Sequence, residues 1–413
     1  MQRVSLCMIA RDEEDSLPAC LEAATPEVDE IIVVDTGSTD RTKEIAAGYG
    51  GGLARTGGAN QPIVRIFDFP WADDFAAARN FSLGKASGDW ILVLDADEVI
   101  ESGARRKLAD FAAGGERVGQ VEIVSEFLSG GEVRRSSSFI SRFFPNNGEY
   151  HYVGAIHEQI ARHGDAPRDG EGTLQAGRSV PSIEQGVLQV ERNAIQVGRT
   201  GVIAAHSGYS GDTVAQKKKG ERNLKILLAA LERQPRDPYL AYQAGRTYFV
   251  MNDYQQARTY LERALKLIGA EGGNDLEGIK GAPAYLPLLL VSLGYTLKGL
   301  GDFDALFKVL DLAIELFPDY TDLYFLRGLA YMESGRMSDL LEIASAFETC
   351  LRLGEARHKY ESVHGVGSFL ALYNLGCFYE VLGDFEGAAK CYAGAARQGY
   401  QRAAGRLALV GRS

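Results

Sequence analysis

The chain has 413 residues, 46% of them hydrophobic and 24% charged, which is the balance of an ordinary globular protein. This length exceeds what one compact core usually supports, so we expect two or more domains. The formal net charge of −11 argues against nucleic acid as a partner, because a phosphate backbone would repel the protein.

Targeting and redox features are sparse in this sequence. The apolar run at 4–10 is short and is followed at once by charged residues, so we expect no signal peptide. No stretch approaches the length needed to cross a bilayer, and we predict a cytoplasmic protein without stable membrane insertion. The five cysteines include no Cys-x-x-Cys pair, so we expect reduced thiols rather than disulfides.

The first half of the chain alternates strand-like and helix-like segments, which predicts an α/β domain over 1–211. Short apolar or β-branched runs predict strands at 4–10, 30–35, 63–67 and 90–95. Helical patterns follow from Asp15, Asp40 and Asp73. Longer strand candidates then occur at 118–127, 133–144 and 155–162. We therefore expect a mixed rather than a purely parallel sheet, of the Rossmann-like kind.

The second half of the chain is helical. Leucines at helical spacing predict a linker helix within 212–237 (Leu224, Leu227, Leu228 and Leu231). Glycines followed three residues later by a large apolar residue then recur at Gly245, Gly294, Gly328 and Gly376. The step from Gly294 to Gly328 is 34 residues, the tetratricopeptide period. We predict roughly four helix–turn–helix repeats over 238–413, with an irregular helical bundle as the alternative.

Acidic residues follow two of the predicted strands. Asp35 ends the second strand, and Asp95 and Asp97 follow the apolar run that begins at Trp90. In an open α/β sheet, ligands bind at the carboxyl ends of the strands. Two carboxylates one residue apart at that edge indicate a cation, so we predict a metal-bound diphosphate as the ligand.

These motifs resemble those of the family-2 glycosyltransferases, which have the GT-A fold. The resemblance rests on the run Ile32–Asp40 and on Asp95-Ala96-Asp97, at the spacing that this family uses. It implies that Asp35 holds the uracil of a UDP-sugar. It also implies that Asp95, Ala96 and Asp97 hold the ribose and a divalent metal, Mn²⁺ or Mg²⁺.

Three further segments extend the nucleotide site that the resemblance implies. Arg79 and Asn80 resemble an Arg-Asn pair that some family members place beside the nucleotide, and an arginine fork suits a base carbonyl or a phosphate. Arg142 is predicted to face the site. Lys217 begins a cationic stretch that would close over the diphosphate. A solvated charged surface is the alternative reading of this stretch.

Glu158 is the predicted catalytic base, because Gly154–Glu158 resembles the segment that carries the base in inverting family members. A carboxylate there can accept the proton of the acceptor. His157 beside it is predicted to orient the base or to contact the acceptor. His206 resembles the late histidine that completes the metal shell in this fold family, so Asp97, His206 and Asp95 form the predicted metal site.

The combination of this domain with helical repeats resembles the bacterial peptide S-glycosyltransferases of glycosylated bacteriocins. It implies transfer of a hexose, most often glucose, from a UDP-sugar to a Cys or Ser side chain of a peptide, with inversion. It further implies that the repeats hold the acceptor peptide or form a homodimer. The alternatives are a transferase acting on a cell-surface polysaccharide or lipid-linked sugar, a non-catalytic repeat adaptor, and a metal-dependent nucleotidyltransferase.

Overall fold

The computed structural model describes residues 2–50, 62–115, 117–129, 132–163, 195–206, 213–272 and 283–411. The chain divides into two compact units. The first comprises residues 1–133 and 138–236, and the second comprises residues 134–137 and 237–413. None of the described helices is long and apolar enough to cross a membrane. All five cysteines lie among the described residues, and none forms a disulfide.

The first unit alternates strands and helices, as the sequence predicts. Its strands are β1(Val4–Ala10), β2(Glu30–Asp35), β3(Ile63–Asp68), β4(Trp90–Val93), β5(Glu98–Ile100), β6(Val118–Ser129), β7(Glu132–Pro145), β8(Tyr150–Val153), β9(Gln159–Arg162) and β10(Val197–His206). Its helices are α1(Leu17–Ala24), α2(Thr42–Gly50), α3(Phe75–Leu83), α4(Ala104–Ala112) and α5(Thr213–Arg233). Helices α1, α2 and α3 each begin two residues after their predicted starts at Asp15, Asp40 and Asp73.

The main sheet is mixed, and this prediction is confirmed. Its strand order is β3-β2-β1-β4-β7-β6-β10-β5. Strands β1 to β4 are parallel to one another, whereas β7 runs antiparallel to β4 and β5 runs antiparallel to β10. Because β1, β2 and β4 are parallel, their carboxyl ends meet at one edge of the sheet, and the acids that follow them share that edge.

Strands β8 and β9 form a separate antiparallel hairpin. The strand predicted at 155–162 is therefore wrong before Gln159. Gly154 and His157 adopt positive φ angles of 93° and 51°, and this left-handed backbone breaks the extended chain. Residues 154–158 form the turn that carries Glu158, which we call the 154–158 turn.

Apolar packing covers both faces of the sheet. Leu17 of α1 and Phe111 of α4 lie in one buried cluster with alternate residues of the strands. Ala76 of α3 lies in a second cluster on the remaining strand residues, together with Tyr152. Burial on both faces explains why β1, β2 and β4 appear in the sequence as continuous apolar runs rather than alternating ones.

The second unit consists of helix hairpins. Its helices are α6(Pro238–Val250), α7(Tyr254–Gly272), α8(Leu286–Leu300), α9(Phe303–Leu316), α10(Thr321–Ser334), α11(Leu340–Leu353), α12(Phe369–Val381), α13(Phe385–Arg397) and α14(Gln401–Val410). Among the described residues, α6 to α13 form four successive pairs of helices, as predicted. The recurring glycines lie where paired helices approach closely. A Cβ at Gly328 would lie 2.7 Å from the ring of Phe347, and one at Gly376 would lie 2.7 Å from the ring of Tyr392.

Residues 354–368 connect α11 to α12 and include the short strand β11(Ser362–Val363). This segment is attached to a buried carboxyl group on α10. The Ser362 hydroxyl donates to Oδ2 of Asp322 at 2.5 Å, and the Val363 N–H donates to Oδ1 at 3.0 Å. Glu361 of the same segment pairs with Arg246 of α6. The segment is therefore held by two helices that are far apart in sequence.

Candidate active site

Two acidic segments and one histidine stand at the ends of strands in the first unit. Asp35 is the last residue of β2, and Asp95 and Asp97 follow the end of β4. His206 is the last residue of β10. Ala96, between the two acids, is buried in the apolar core and anchors the loop that carries them.

Asp97 and His206 meet although 109 residues separate them. Nε2 of His206 lies 3.0 Å from Oδ2 of Asp97, and Nδ1 lies 3.4 Å from the hydroxyl of Ser125. Burial alone would raise the pKa of Asp97, but the contact with His206 outweighs it and lowers this pKa. Burial alone would lower the pKa of His206, but the same contact raises it.

This pair of side chains fits a divalent metal. Two ligand atoms at neighbouring corners of an octahedron with bonds of roughly 2.1 Å lie roughly 3.0 Å apart. The separation between His206 and Asp97 is 3.0 Å. Within the described ranges no three Asp, Glu, His or Cys side chains converge on one point. A metal held by this pair would therefore take its remaining ligands from water or from a bound ligand.

Asp95 lies between two buried arginines. Arg79 Nη2 donates to Oδ1 at 2.6 Å, and Arg142 Nη2 donates to Oδ2 at 2.9 Å. Burial opposes ionisation of Asp95, but Arg142 and Arg79 outweigh it and hold its pKa well below the ordinary value. Since both carboxylate oxygens face guanidinium groups, the geometry favours a contact of Asp95 with a metal through water over direct ligation.

Glu98 belongs to the same cluster, and the sequence reasoning assigned it no role. Its Oε2 accepts the backbone N–H of Asp95 at 2.8 Å, and its Oε1 accepts Arg142 Nη2 at 3.2 Å. Burial raises the pKa of Glu98, and Arg142 offsets this only in part. Its position directly after the acid pair was the one sequence feature that indicated a role at the site. Nothing in the neighbouring residues shows that its side chain points into the protein.

Glu158 lies at the end of the 154–158 turn and pairs with Arg79, whose Nε donates to Oε1. The side chain of Glu158 is 11% exposed, so it is largely buried but still in contact with solvent. His157 precedes it with a positive φ, a conformation that costs energy for a residue with a Cβ. The structure thus joins the predicted base and Asp95 through one arginine.

Asn80, next to Arg79 on α3, bonds to the backbone of the hairpin. Its Nδ2 donates to the carbonyl of Tyr152 at 2.8 Å, and its Oδ1 accepts the N–H of Tyr152 at 2.7 Å. The tyrosine ring lies under the guanidinium of Arg79, with the carbon of that group 5.7 Å from the ring centre.

Asp35 is buried and closes its own turn. Its Oδ2 accepts the N–H groups of Gly37 and Ser38 at 3.0 and 3.1 Å. Gly37 has a φ of 101°, which favours glycine at this position. Asp12, at the end of β1, accepts the N–H of Thr39 at 2.7 Å and links the two loops. The sequence reasoning gave Asp12 no role at the site.

The side chain of Lys217 lies outside the described residues. Lys219, two positions along α5, acts electrostatically on Asp97, on His206 and on Glu13 of the β1–α1 loop. Positive charge from α5 therefore acts on the Asp97–His206 pair.

Comparisons with known sequences agree with this division of the chain. Residues 5–163 match the profile of the family described as Glycosyl transferase family 2. Residues 239–270, which span α6 and most of α7, match the profile of a tetratricopeptide repeat. The predicted fold class, an α/β domain of the GT-A type with a C-terminal all-α repeat domain, is confirmed.

Three curated relatives are similar to this chain. A TPR repeat-containing protein of Synechococcus elongatus is 34% identical over 266 residues, covering 64% of this chain and 57% of the relative. The SPbeta prophage-derived glycosyltransferase SunS of Bacillus subtilis is 24% identical over 258 residues, covering 62% and 52%. The lipopolysaccharide core biosynthesis glycosyltransferase LpsC of Rhizobium meliloti is 29% identical over 190 residues, covering 44% and 66%. The chain thus spans between half and two thirds of the length of these relatives.

Proposed function

We propose that this chain, whose residues 5–163 match the family 2 glycosyl transferases, is a metal-dependent inverting glycosyltransferase. It moves a hexose, with glucose as the first candidate, from a UDP-sugar to a Cys or Ser side chain of a peptide. The observation that carries this proposal is the position of Asp97 and His206, 3.0 Å apart beside the cluster of Asp95, Arg79 and Glu158.

The donor site has a distinct role for each group. Asp35, at the end of β2, is the proposed contact for the uracil. Asp97 and His206 would hold Mn²⁺ or Mg²⁺, which when bound supplies positive charge to the leaving diphosphate. An imidazole ligand favours a transition metal such as Mn²⁺ over Mg²⁺. Lys219 adds a further positive charge on the same side.

The transfer is a single displacement at the anomeric carbon. The sulfur or oxygen of the acceptor forms a bond to this carbon as the bond to the diphosphate oxygen breaks, and UDP leaves. Glu158 takes the proton of the acceptor, and the attack from the opposite face inverts the configuration. The side chain of Glu158 is largely buried but keeps some contact with solvent, which suits a group that must meet an incoming acceptor.

A second candidate function differs in the acceptor. LpsC, a relative at 29% identity, is described as a lipopolysaccharide core glycosyltransferase, so a sugar acceptor is supported by a specific likeness. The peptide acceptor is supported by the repeat unit, because stacked helical repeats form extended surfaces suited to binding polypeptides. We place the peptide first because the repeats occupy the whole second half of the chain.

Donor and acceptor panels test the proposal. The protein is incubated with UDP-sugars and Mn²⁺, with Cys- and Ser-containing peptides in one arm and core oligosaccharides in the other. We expect release of UDP and a gain of one hexose by the peptide, measured by mass spectrometry. Removal of metal with EDTA should abolish both. Transfer to the oligosaccharides alone would favour the second candidate.

The variant D97N provides the matching genetic test. Loss of a metal-binding carboxylate should lower turnover by about 100-fold or more, or about 2.7 kcal/mol in activation free energy. The control is D110N, which alters a carboxylate that is 76% exposed on α4. Turnover that survives both EDTA and D97N would contradict the metal-dependent mechanism.

A further inference from the structure

Helix α3 holds the 154–158 turn and its flanking strand at three points. The backbone N–H of Phe75, at the start of the helix, donates to the carbonyl of Ala155 at 2.8 Å. Asn80 bonds to both backbone groups of Tyr152. Arg79 donates to the carboxylate of Glu158. Helix α3 therefore contacts the segment that carries the proposed base at its beginning, in its middle and at its end.

The hydrogen bonds of Arg79 go to two carboxylates of the protein. Its Nε donates to Glu158 and its Nη2 donates to Asp95. Its Nη1 is buried without a hydrogen-bond partner among the described residues. The side chain is 6% exposed, and the ring of Tyr152 lies against its guanidinium. Contact with a base or phosphate through Nε or Nη2 would therefore require Arg79 to leave a carboxylate, which costs the free energy of a broken buried ion pair. Nη1 is closed off from the protein surface.

The side-chain amide of Asn80 is also occupied by hydrogen bonds within the protein. The two polar atoms of its amide bond to the N–H and carbonyl of one residue, Tyr152, as a neighbouring strand would. This pairing fixes the position of β8 along the axis of α3. Since β8 leads directly into the turn, the amide sets the path of the chain towards Glu158.

We propose that Arg79 and Asn80 are positioning residues for Glu158 and not contacts of the nucleotide. The inference rests on the proposed function, because Glu158 is the base only if the chain is a transferase. It differs from the role that the family resemblance implies for this pair. Arg79 fixes the direction of the carboxylate, and Asn80 fixes the backbone that carries it.

The two roles give different kinetic signatures. A nucleotide contact would, when weakened, reduce affinity for UDP and slow transfer to every acceptor equally. A residue that positions the base would leave UDP affinity unchanged. It would slow transfer to a hydroxyl, which needs the base, more than transfer to a thiol, which ionises near neutral pH.

The test uses the full chain with R79K and N80A. Calorimetric titration with UDP and Mn²⁺ measures donor affinity, and kcat is measured with matched Ser and Cys peptides. For N80A we expect UDP affinity within about 3-fold of the parent, and for both variants a loss of about 10- to 100-fold in kcat with the Ser peptide. The loss with the Cys peptide should be smaller. The control is R65K, which alters another arginine paired with a buried carboxylate, Glu30, and should change none of these values.

Each outcome decides the matter. A fall of more than about 10-fold in UDP affinity for N80A would overturn the inference, because Asn80 contacts only the backbone of Tyr152. Equal loss of kcat with both peptides for either variant would also overturn it. If R79K does not fold, which circular dichroism detects, N80A carries the test alone. UDP binding is measured without turnover, so the two proposals can fail separately. If the parent protein does not bind UDP, the proposed function is refuted. If the parent binds UDP and N80A does not, only the positioning role is refuted.

Discussion

At the scale of single residues, the site depends on compensation of buried charge. Asp95, Glu98 and Glu158 are carboxylates in one cluster, and Arg79 and Arg142 lie between them. A carboxylate buried without a partner would cost several kcal/mol, roughly enough to remove much of the stability of a domain. Each arginine contacts two carboxylates, so removal of one arginine affects two acids at once.

Substitution of the proposed base tests its role through the acceptor. E158Q keeps the size of the side chain but removes the group that accepts the proton. We expect a loss of about 100-fold or more in kcat with a Ser peptide and of about 10-fold or less with a Cys peptide, because only the hydroxyl requires a base. Parallel assays of both peptides measure the ratio.

The control for this substitution is E149Q. Glu149 precedes β8 and pairs with Arg162 of the same hairpin, so this variant also removes a carboxylate paired with an arginine. It should leave both rates unchanged. Equal losses with the two peptides for E158Q would mean that Glu158 does not act as a general base.

At the scale of secondary-structure elements, close approach of helices explains the glycine pattern of the repeats. Gly245, Gly328 and Gly376 each face a large side chain of the following helix, namely Leu261, Phe347 and Tyr392. A Cβ at Gly294 would lie 3.4 Å from Leu306 of the following helix and 2.6 Å from Leu326 of α10, so this glycine also faces the next pair of helices. The repeated glycine therefore marks contacts both within and between repeats.

Substitution of two glycines by alanine, one that packs against another helix and one that does not, distinguishes the effect of packing on stability from the effect of helix propensity. G328A should destabilise the helical unit by about 1–2 kcal/mol, because the added methyl group overlaps the Phe347 ring and this outweighs the gain in helix propensity. G405A should stabilise α14 by up to about 1 kcal/mol, because nothing lies within 4 Å of its added Cβ. Urea unfolding measures both values. A stabilising G328A would contradict the packing explanation.

At the scale of the whole molecule, each unit has its own apolar core and its own buried carboxyl group of raised pKa. Glu98 is this group in the first unit. In the second unit burial raises the pKa of Asp322 to about 7, despite hydrogen bonds from Ser362 and Val363 that oppose the shift. Glu355 adds a like charge, and the uncharged groups of Tyr295, Tyr320 and Cys350 also face this carboxyl.

The raised pKa of Asp322 predicts that stability falls as pH rises. Between about pH 4, where the unfolded carboxyl loses its proton, and about pH 7, the folded state binds more protons than the unfolded state. The contribution is complete below pH 4, falls progressively as the pH rises to about 7, and is absent above that pH; the total loss is at most about 4 kcal/mol. D322N should remove this dependence, because an amide stays neutral. It should therefore be more stable than the parent at pH 8.

Urea unfolding of the parent and D322N at pH 5 and pH 8 measures the difference. E386Q, which changes a carboxylate that is 81% exposed on α13, is the control and should keep the pH dependence of the parent. An unchanged dependence in D322N would show that this carboxyl titrates at its ordinary pKa in the fold.

The order of strands and helices and the position of the acids could be read from the sequence because they depend on neighbouring residues. The apolar run from Trp90, the acid pair after it and the glycine spacing of the repeats are all local patterns. The strand predicted at 155–162 failed for the same reason, because its alternation concealed the left-handed turn at Gly154 and His157.

The partners of the polar side chains were decided by the tertiary structure alone. Arg79 and Asn80 look like nucleotide contacts in the sequence, yet the fold directs them to Glu158 and to the backbone of Tyr152. These residues are more than seventy positions apart, and no periodicity records which of two distant groups will meet. The sequence determined which chemical groups reach this edge of the sheet, because strand ends are encoded locally. Only packing of α3 against the hairpin decided their pairing, because a buried ion pair forms where the chain brings opposite charges together.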